Sequence, residues 1–336
     1  MLFSVVVVCA LMCCAATAPS RRDNNPFGVR RTKAFNTELN ATAIDVLLDV
    51  PPRYMWGWGI GVNGYCGETS FQSHGIFWGN WVSSERVREA SGGSELLIAV
   101  DDTVAAKALK FPFEEWDYEA KSPQSGEFIA WLRGHIDNGH MAAIGVYEKQ
   151  KTGDNDYDHI VPVVGYQYDP SSLATLAIYY NDLYENTHRS LSVTSDVQSR
   201  KGCRQSAAPV QPYTYCLPQS INYGVALFGI QDSSKETHRM VLTMPSWTEP
   251  DYGDEDGIHA KPIMFTVSAT VYGLTPFASY AVLRFDSYQT LPTDNFARSS
   301  AVTKRFNFTA TGSTHSLTQF DAFMSDSTVF YRTVKL

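Results

Sequence analysis

Cys66 is the residue best placed to do chemistry. It lies in Asn63-Gly64-Tyr65-Cys66-Gly67-Glu68-Thr69-Ser70, with a helical spacing beginning at Glu68. A thiol at a helix start faces backbone N–H groups that lack intrahelical partners and the positive end of the helix dipole, and both favour thiolate. The flanking glycines allow a ligand to approach the backbone closely. Far downstream, Asp158-His159-Ile160-Val161-Pro162-Val163-Val164-Gly165-Tyr166 puts a histidine at the entrance of an apolar strand. The next strand, Ile178-Tyr179-Tyr180, ends in Asn181-Asp182. On adjacent strands, Asp182 would orient the His159 imidazole, and His159 would hold the Cys66 proton. The thiolate would then attack a peptide carbonyl, and His159 would protonate the leaving amine. Asn181 competes with Asp182 for the orienting role.

The other candidate residues read more plainly. Of six cysteines, Cys9, Cys13 and Cys14 fall in an N-terminal apolar segment. Cys203 and Cys216 flank a short polar loop that a disulfide would close, leaving Cys66 as the single thiol. His74 falls on the apolar side of the Cys66 helix and reads as a core histidine. His135 and His140 bracket a turn and read as solvated. No zinc-type ligand spacing occurs, and no metal or organic cofactor is expected. The acidic loop Asp251, Asp254, Glu255 and Asp256 reads as a solvated turn. Trp56 and Trp58, each followed by glycine, would line either a substrate groove or an aromatic core.

These residues need elements to position them. Phe71, Gly75, Trp78 and Val82 share one face of the helix that begins near Glu68. A second helix is predicted over 125–138, with Phe128, Ile129, Trp131, Leu132 and Ile136 as its apolar stripe. Strand-like runs follow at Met141–Tyr147, Ile160–Tyr166, Leu176–Tyr180 and Tyr223–Ile230. Beyond residue 232 the pattern changes. Phe265, Val267, Ala269 and Val271 alternate with Thr266, Ser268, Thr270 and Tyr272, the period of a half-buried strand. Similar runs recur at Tyr280–Phe285, Val302–Ala310 and Thr328–Val334, which together suggest a β-sandwich. Val271-Tyr272-Gly273-Leu274-Thr275-Pro276 resembles the turn that precedes a strand in fibronectin type III-like sandwiches.

The cysteine block, then Gly139-His140-Met141-Ala142-Ala143-Ile144-Gly145-Val146, then His159 and Asn181-Asp182, resemble the papain-fold bacteriocin-processing (double-glycine) peptidases and their peptidase-like relatives, here with a C-terminal extension. The resemblance covers residues 54–232. It implies Cys66 as nucleophile, His159 as general base and acid, and Asp182 as orienter. The family's oxyanion-hole Gln would fall in the neighbourhood of Ile60, and Asn63 is the nearest upstream amide side chain that could take its place. The expected fold is therefore an α+β papain-like cysteine peptidase domain over 51–232, followed by an all-β sandwich over 233–336. The expected activity is hydrolysis of peptide bonds through a thioester. The alternatives are a catalytically inactive binding protein on the same scaffold and a transglutaminase-like acyl transferase.

Composition bounds these readings. The chain has 336 residues, 44% of them hydrophobic, with a net charge of −8 and no Lys/Arg block. That balance argues against nucleic acid and anionic membrane surfaces as main partners; a peptide or protein substrate is what the resemblance implies. Residues 1–18 read as a signal peptide, with the apolar run Val5 to Met12 and the small-residue ending Ala16-Thr17-Ala18. Residues 19–50 read as a leader or short propeptide. Sequons at Asn40 and Asn307 agree with secretion or residence in the secretory or endolysosomal lumen. After signal cleavage no apolar stretch is long enough to span a membrane.

Overall fold

The computed structural model describes residues 29–33, 43–55, 64–149, 156–185, 187–206, 214–243 and 262–336. Its largest sheet has ten strands, and the spine of that sheet is β6 (His159–Tyr168). The β-branched residues Ile160, Val161, Val163 and Val164 suit a pleated strand and are fully buried here. One edge of β6 pairs first with β5 (Met141–Glu148), through Val146↔His159 to Ala142↔Val163. Further along, the same edge pairs with β2 (Ile44–Leu48), through Leu47↔Gly165 to Ile44↔Tyr168. The opposite edge takes β7 (Thr175–Asp182) in a register that begins at Val163. The His159 end of β6 thus has a ladder on one side and, on the other, a backbone edge that meets different groups.

The sheet extends outward on both sides. β1 (Val29–Lys33) joins β2, and β8 (Thr187–Ser192) joins β7. β11 (Gly224–Leu227) pairs with both β5 and β4 (Phe113–Glu115). β10 (Tyr215–Pro218) pairs with β5 and runs parallel to β9 (Val197–Gln198).

Two further sheets lie in the C-terminal half. One orders β12 (Thr237–His238), β18 (Thr328–Lys335), β15 (Ser279–Phe285) and β16 (Lys304–Thr309), with β3 (Asn80–Val82) also paired to β18. The other orders β13 (Met240–Thr243), β14 (Met264–Tyr272) and β17 (Thr314–Met324). Their inward residues, including Val267, Val271, Tyr280, Val282 and Tyr331, share one core.

The helices are α1 (Cys66–Phe77), α2 (Ser84–Ala90), α3 (Asp102–Ala108), α4 (Ser125–Asp137) and α5 (Arg200–Gln205). α4 buries Phe128, Leu132 and Ile136 at i, i+4 and i+8 against the large sheet. α1 is buried on every side from Gly67 to Phe77. Its polar residues are therefore bonded inside the protein: Ser73 Oγ donates to Thr69 O at 2.9 Å, and Gln72 Nε2 donates to Val82 O at 3.0 Å. No helix among the described residues is long and apolar enough to cross a membrane.

The eight strand runs named from sequence all fall on strands, and both named helices form. The fold class is nevertheless corrected. Strands make up 39% of the described residues and helices 19%, in three largely antiparallel sheets, so this is a β-rich protein and not an α+β papain-like domain followed by a separate sandwich. The boundary at residue 232 does not separate two cores. Trp81 of β3 is fully buried, with its ring 5.0 Å from Phe265 and 5.9 Å from Phe323. Phe71 of α1 shares a core with Leu283 and Phe330. Nor is 19–50 wholly a leader, because Val46 and Leu48 of β2 are core residues of the large sheet. The predicted face through Val82 is also corrected: α1 ends at Phe77 and Val82 lies on β3.

Candidate functional site

α1 opens on Cys66, preceded by Tyr65, whose side chain makes no capping bond. The first-turn N–H groups are thus left to the thiol and to whatever approaches it. Gly67 is required by packing: a Cβ there would lie 2.5 Å from Leu96 O and 2.7 Å from Leu96 Cδ2. Glu68, 1% exposed, accepts from Arg88 Nε at 2.7 Å and from Leu96 N–H at 3.0 Å. Arg88 also donates to Gly64 O at 2.9 Å and lies over the Tyr65 ring. One carboxylate therefore ties α1, α2 and the 94–98 segment together around the cysteine.

Cys66 packs against Ile160, on the stretch of β6 that precedes the β7 register. The residue keeps partial contact with solvent, but its sulfur is set deep in protein. Burial pushes the thiol pKa up from 9.0 to about 12; the N–H groups of Ile160, Gly67 and Cys66 itself pull it down, and Glu68 adds to the rise. The thiolate expected from the helix start is therefore not the resting form. Desolvation outweighs the backbone donors here.

His159, the residue before Ile160, is 3% exposed. Its ring stacks on Tyr184 (4.9 Å between centroids, 14° between planes) and on Tyr215 (5.2 Å, 18°). Asp182 ends β7 in a fully buried position. Its Oδ1 accepts from Tyr184 N at 2.8 Å and Glu185 N at 3.2 Å, and its Oδ2 lies 2.7 Å from Arg189 Nε. Burial raises the Asp182 pKa, opposed by those N–H groups and by Arg189. Asn181 instead donates to Val50 O (3.4 Å) and Pro51 O (3.3 Å), fastening β7 to the segment after β2.

The structure does not bring the predicted side chains together: Cys66 packs with Ile160, which points to the opposite face of β6 from the His159 ring, and Asp182 bonds its own turn and Arg189. His159 stacks on Tyr184, and Tyr184 N–H donates to Asp182. Tyr184, Tyr215, the Ile160 amide and the Glu68–Arg88 pair were not singled out from sequence. The one sign of Tyr184 was an aromatic residue inside the polar turn that follows Asp182. Asn63, Ile60, Trp56, Trp58, Asn40, residues 1–18 and the acidic loop from Asp251 to Asp256 lie outside the described residues.

Elsewhere the readings divide. Cys203 and Cys216 form the expected disulfide, with both residues buried and Cα atoms 6.0 Å apart. Asn307 is exposed on β16, at the end of its sheet's strand order. His74 is a core histidine, with Nε2 2.9 Å from Gly229 O and a pKa lowered by burial to about 3. His135 and His140 are corrected. They are half-buried, with Nδ1 atoms 3.4 Å apart and both rings against Phe228, and burial lowers both pKa values. Among the described residues, no group of three or more His, Cys, Asp or Glu side chains could hold a metal ion.

No protein-family model matches the chain, and no curated protein matches it in sequence. The functional reading therefore rests on the site itself.

Proposed function

We propose that the protein is a secreted or lumenal cysteine-type hydrolase that cleaves peptide or amide bonds through a thioester on Cys66. The observation that carries this reading is the packing of Cys66, at the start of α1, against Ile160, the residue directly after His159. It sets the lone thiol beside the backbone of the most plausible base. The buried Cys203–Cys216 disulfide supports an oxidising compartment.

In this reading the His159 ring must leave its stack on Tyr184 and Tyr215 to reach the sulfur; the sulfur then attacks the carbonyl carbon as its proton passes to His159, so a resting neutral thiol is compatible with general-base catalysis. The Cys66 N–H at the start of α1 is one donor for the developing oxyanion, and Asn63 is the proposed second. The C–N bond then breaks, and His159 returns the proton to the leaving amine. Water, losing a proton to His159, cleaves the thioester and restores the thiol. Asp182 acts as a positioning residue, bonding the turn whose Tyr184 stacks on the imidazole.

A second reading is a binding protein without turnover, favoured by the thiol pKa of about 12. Wild type and Cys66→Ala should be incubated with a peptide library, with and without an amine acceptor, and followed by mass spectrometry. Cleavage by wild type alone supports hydrolysis, and amine incorporation supports acyl transfer. Equal behaviour of the two proteins rules out Cys66 chemistry.

A further inference from the structure

One side of the two C-terminal sheets is formed by the strands that end them. β16 ends the order β12-β18-β15-β16 and β17 ends β13-β14-β17, and among the described residues neither pairs with a further strand. The two strands face each other across their shared core. Lys304 Nζ donates to Asp321 Oδ1 at 2.7 Å, the Phe306 and Phe320 rings lie 5.2 Å apart, and the Phe308 and His315 rings 4.4 Å. This side of the molecule therefore carries two bare backbone edges, each a template for another chain.

The two edges are not protected alike. β17 is bent, because residues 317–321 of β17 span only residues 267–269 of β14, and Gln319 takes a left-handed φ of 45°. An irregularity of this kind spoils a strand as a template. β16 is regular and pairs with β15 from Lys304↔Arg284 to Thr309↔Ser279 without a shift. Its two charged side chains are drawn elsewhere, Lys304 to Asp321 and Arg305 Nη2 to Ala297 O at 3.0 Å. The rest of the segment, Phe306-Asn307-Phe308-Thr309-Ala310, is uncharged, aromatic and free of Pro and Gly. That is the composition of a strand that pairs with copies of itself. Phe306 and Phe308 turn toward the core, whereas Asn307 and Thr309 are exposed on the solvent side. Those two outward residues are the acceptor and the hydroxyl position of an Asn-x-Thr sequon.

We propose that Asn307 carries an N-linked glycan and that this glycan blocks strand addition at β16. The sugar donor is a lipid-pyrophosphate-linked oligosaccharide of the secretory lumen. The Asn307 amide nitrogen bonds to the anomeric carbon and gives up one proton. The bond from that carbon to the pyrophosphate oxygen breaks, and the lipid pyrophosphate leaves with the electron pair. A bulky, solvated oligosaccharide then stands on the edge where other sheets place a charged side chain. Attachment requires passage through the secretory lumen; the vulnerability of the edge rests on the strand alone.

The test expresses the full-length protein in a eukaryotic cell line with its secretory signal in place. Wild type is compared with Asn307→Gln and Thr309→Ala, which remove the sequon at two different residues. It is also compared with Asn307→Lys, which removes the sequon but returns a charge to the edge. Peptide mapping before and after endoglycosidase treatment reads the modification at position 307, and light scattering at rising protein concentration reads self-association. The wild-type peptide should carry the glycan. Asn307→Gln and Thr309→Ala should associate about tenfold faster than wild type, and Asn307→Lys should stay monodisperse. All three changes fall at exposed positions, so the unfolding midpoints should match wild type. An unmodified Asn307 would overturn the proposal. So would sequon-free variants as monodisperse as wild type, or Asn307→Lys associating as fast as Asn307→Gln.

Discussion

Cys66 packs against Ile160, joining the first residue of α1 to the second residue of β6. β7 joins β6 only from Val163 in the register, so the early part of that edge is open to a group from α1. The thiol thereby comes within one residue of His159 along the strand, and it is desolvated by the same packing.

That desolvation predicts slow alkylation of the native thiol. Its pKa stands at about 12 against an ordinary 9.0, so at neutral pH the native protein holds far less thiolate than the unfolded chain. The iodoacetamide rate on native protein should keep climbing past pH 10, while protein unfolded in urea levels off about two to three units earlier. The sign for stability follows. A thiol whose folded pKa is raised stabilises the fold fully below its unfolded value and loses that contribution as pH rises from about 9 toward 12. The ceiling is about 4 kcal/mol, three units at about 1.4 each. Cys66→Ala should flatten the alkaline limb, and a native alkylation rate that saturates below pH 8 would contradict the buried-thiol picture.

Gly67→Ala should destabilise the fold even though alanine is the better helix former by about 1 kcal/mol. The added Cβ would meet the Leu96 carbonyl oxygen at 2.5 Å, and a backbone oxygen does not yield as a flexible side chain does. Overpacking of this kind costs about 1–3 kcal/mol, so the net loss should reach up to about 2 kcal/mol by urea titration. A more stable variant would show that the 94–98 segment is looser than its contacts with Glu68 imply.

Asp182→Ala should separate positioning from packing. It leaves two turn N–H groups without an acceptor and Arg189 with Glu185 as its remaining carboxylate, a loss of about 1–3 kcal/mol for unsatisfied buried donors. Asp182→Asn keeps an acceptor for the turn and should lose less. The discriminating signal is the His159 ring, whose NMR shifts report stacking on Tyr184. They should move in the alanine variant and stay near wild type in the asparagine variant. Unchanged shifts in both would remove Asp182 from any role at the imidazole.

Much of this was legible in the chain because it is written locally. A half-buried strand imprints period two, and Phe265, Val267, Ala269 and Val271 are indeed the inward residues of β14. The buried α1 was legible from its end near Cys66, but the partners of its faces were not. β3 is three residues long, and its Trp81 finds its neighbours in β14 and β17, far along the chain. That contact undoes the division at residue 232. β2 read as part of a leader because residues 19–50 begin polar and basic and are only weakly amphipathic through Ile44 to Leu48. In the fold, Asp45 is buried and accepts from Tyr179 Oη at 2.7 Å and Gln167 Nε2 at 3.0 Å. At the site, residue types gave the cysteine and histidine. The protonation of the thiol depends on how much protein surrounds it, which no local pattern records.

Cys203→Ala with Cys216→Ala should cost about 3 kcal/mol by chain-entropy arithmetic, since the bridge closes a loop with a sequence separation of 13. Burial of both sulfurs makes reduction of the native protein slow. Thiol titration of the non-reduced, urea-unfolded chain without residues 1–18 should find one group, Cys66. Three titratable thiols would mean that the bridge does not form.

The Glu68–Arg88 pair yields the sharpest pH signature. Glu68 is buried, and burial already raises its pKa, with Arg88 pulling the other way. Arg88→Met removes that counterweight and leaves a carboxylate whose charged form has no cationic partner at hand, a loss of about 3–5 kcal/mol at pH 7.5. The folded pKa should then climb further above the unfolded value. A carboxyl raised in this way is protonated in the folded state at mild acidity, so the penalty should shrink as pH falls toward 4.5 and grow as pH rises. Glu68→Gln combined with Arg88→Met should recover much of the loss at pH 7.5 and respond little to pH, because no buried charge remains. Urea titrations of the three variants at both pH values decide the matter. A pH-independent penalty for Arg88→Met would assign the residue's value to its stacking on Tyr65 and its bond to Gly64, and not to the charge it presents beside the Cys66 helix.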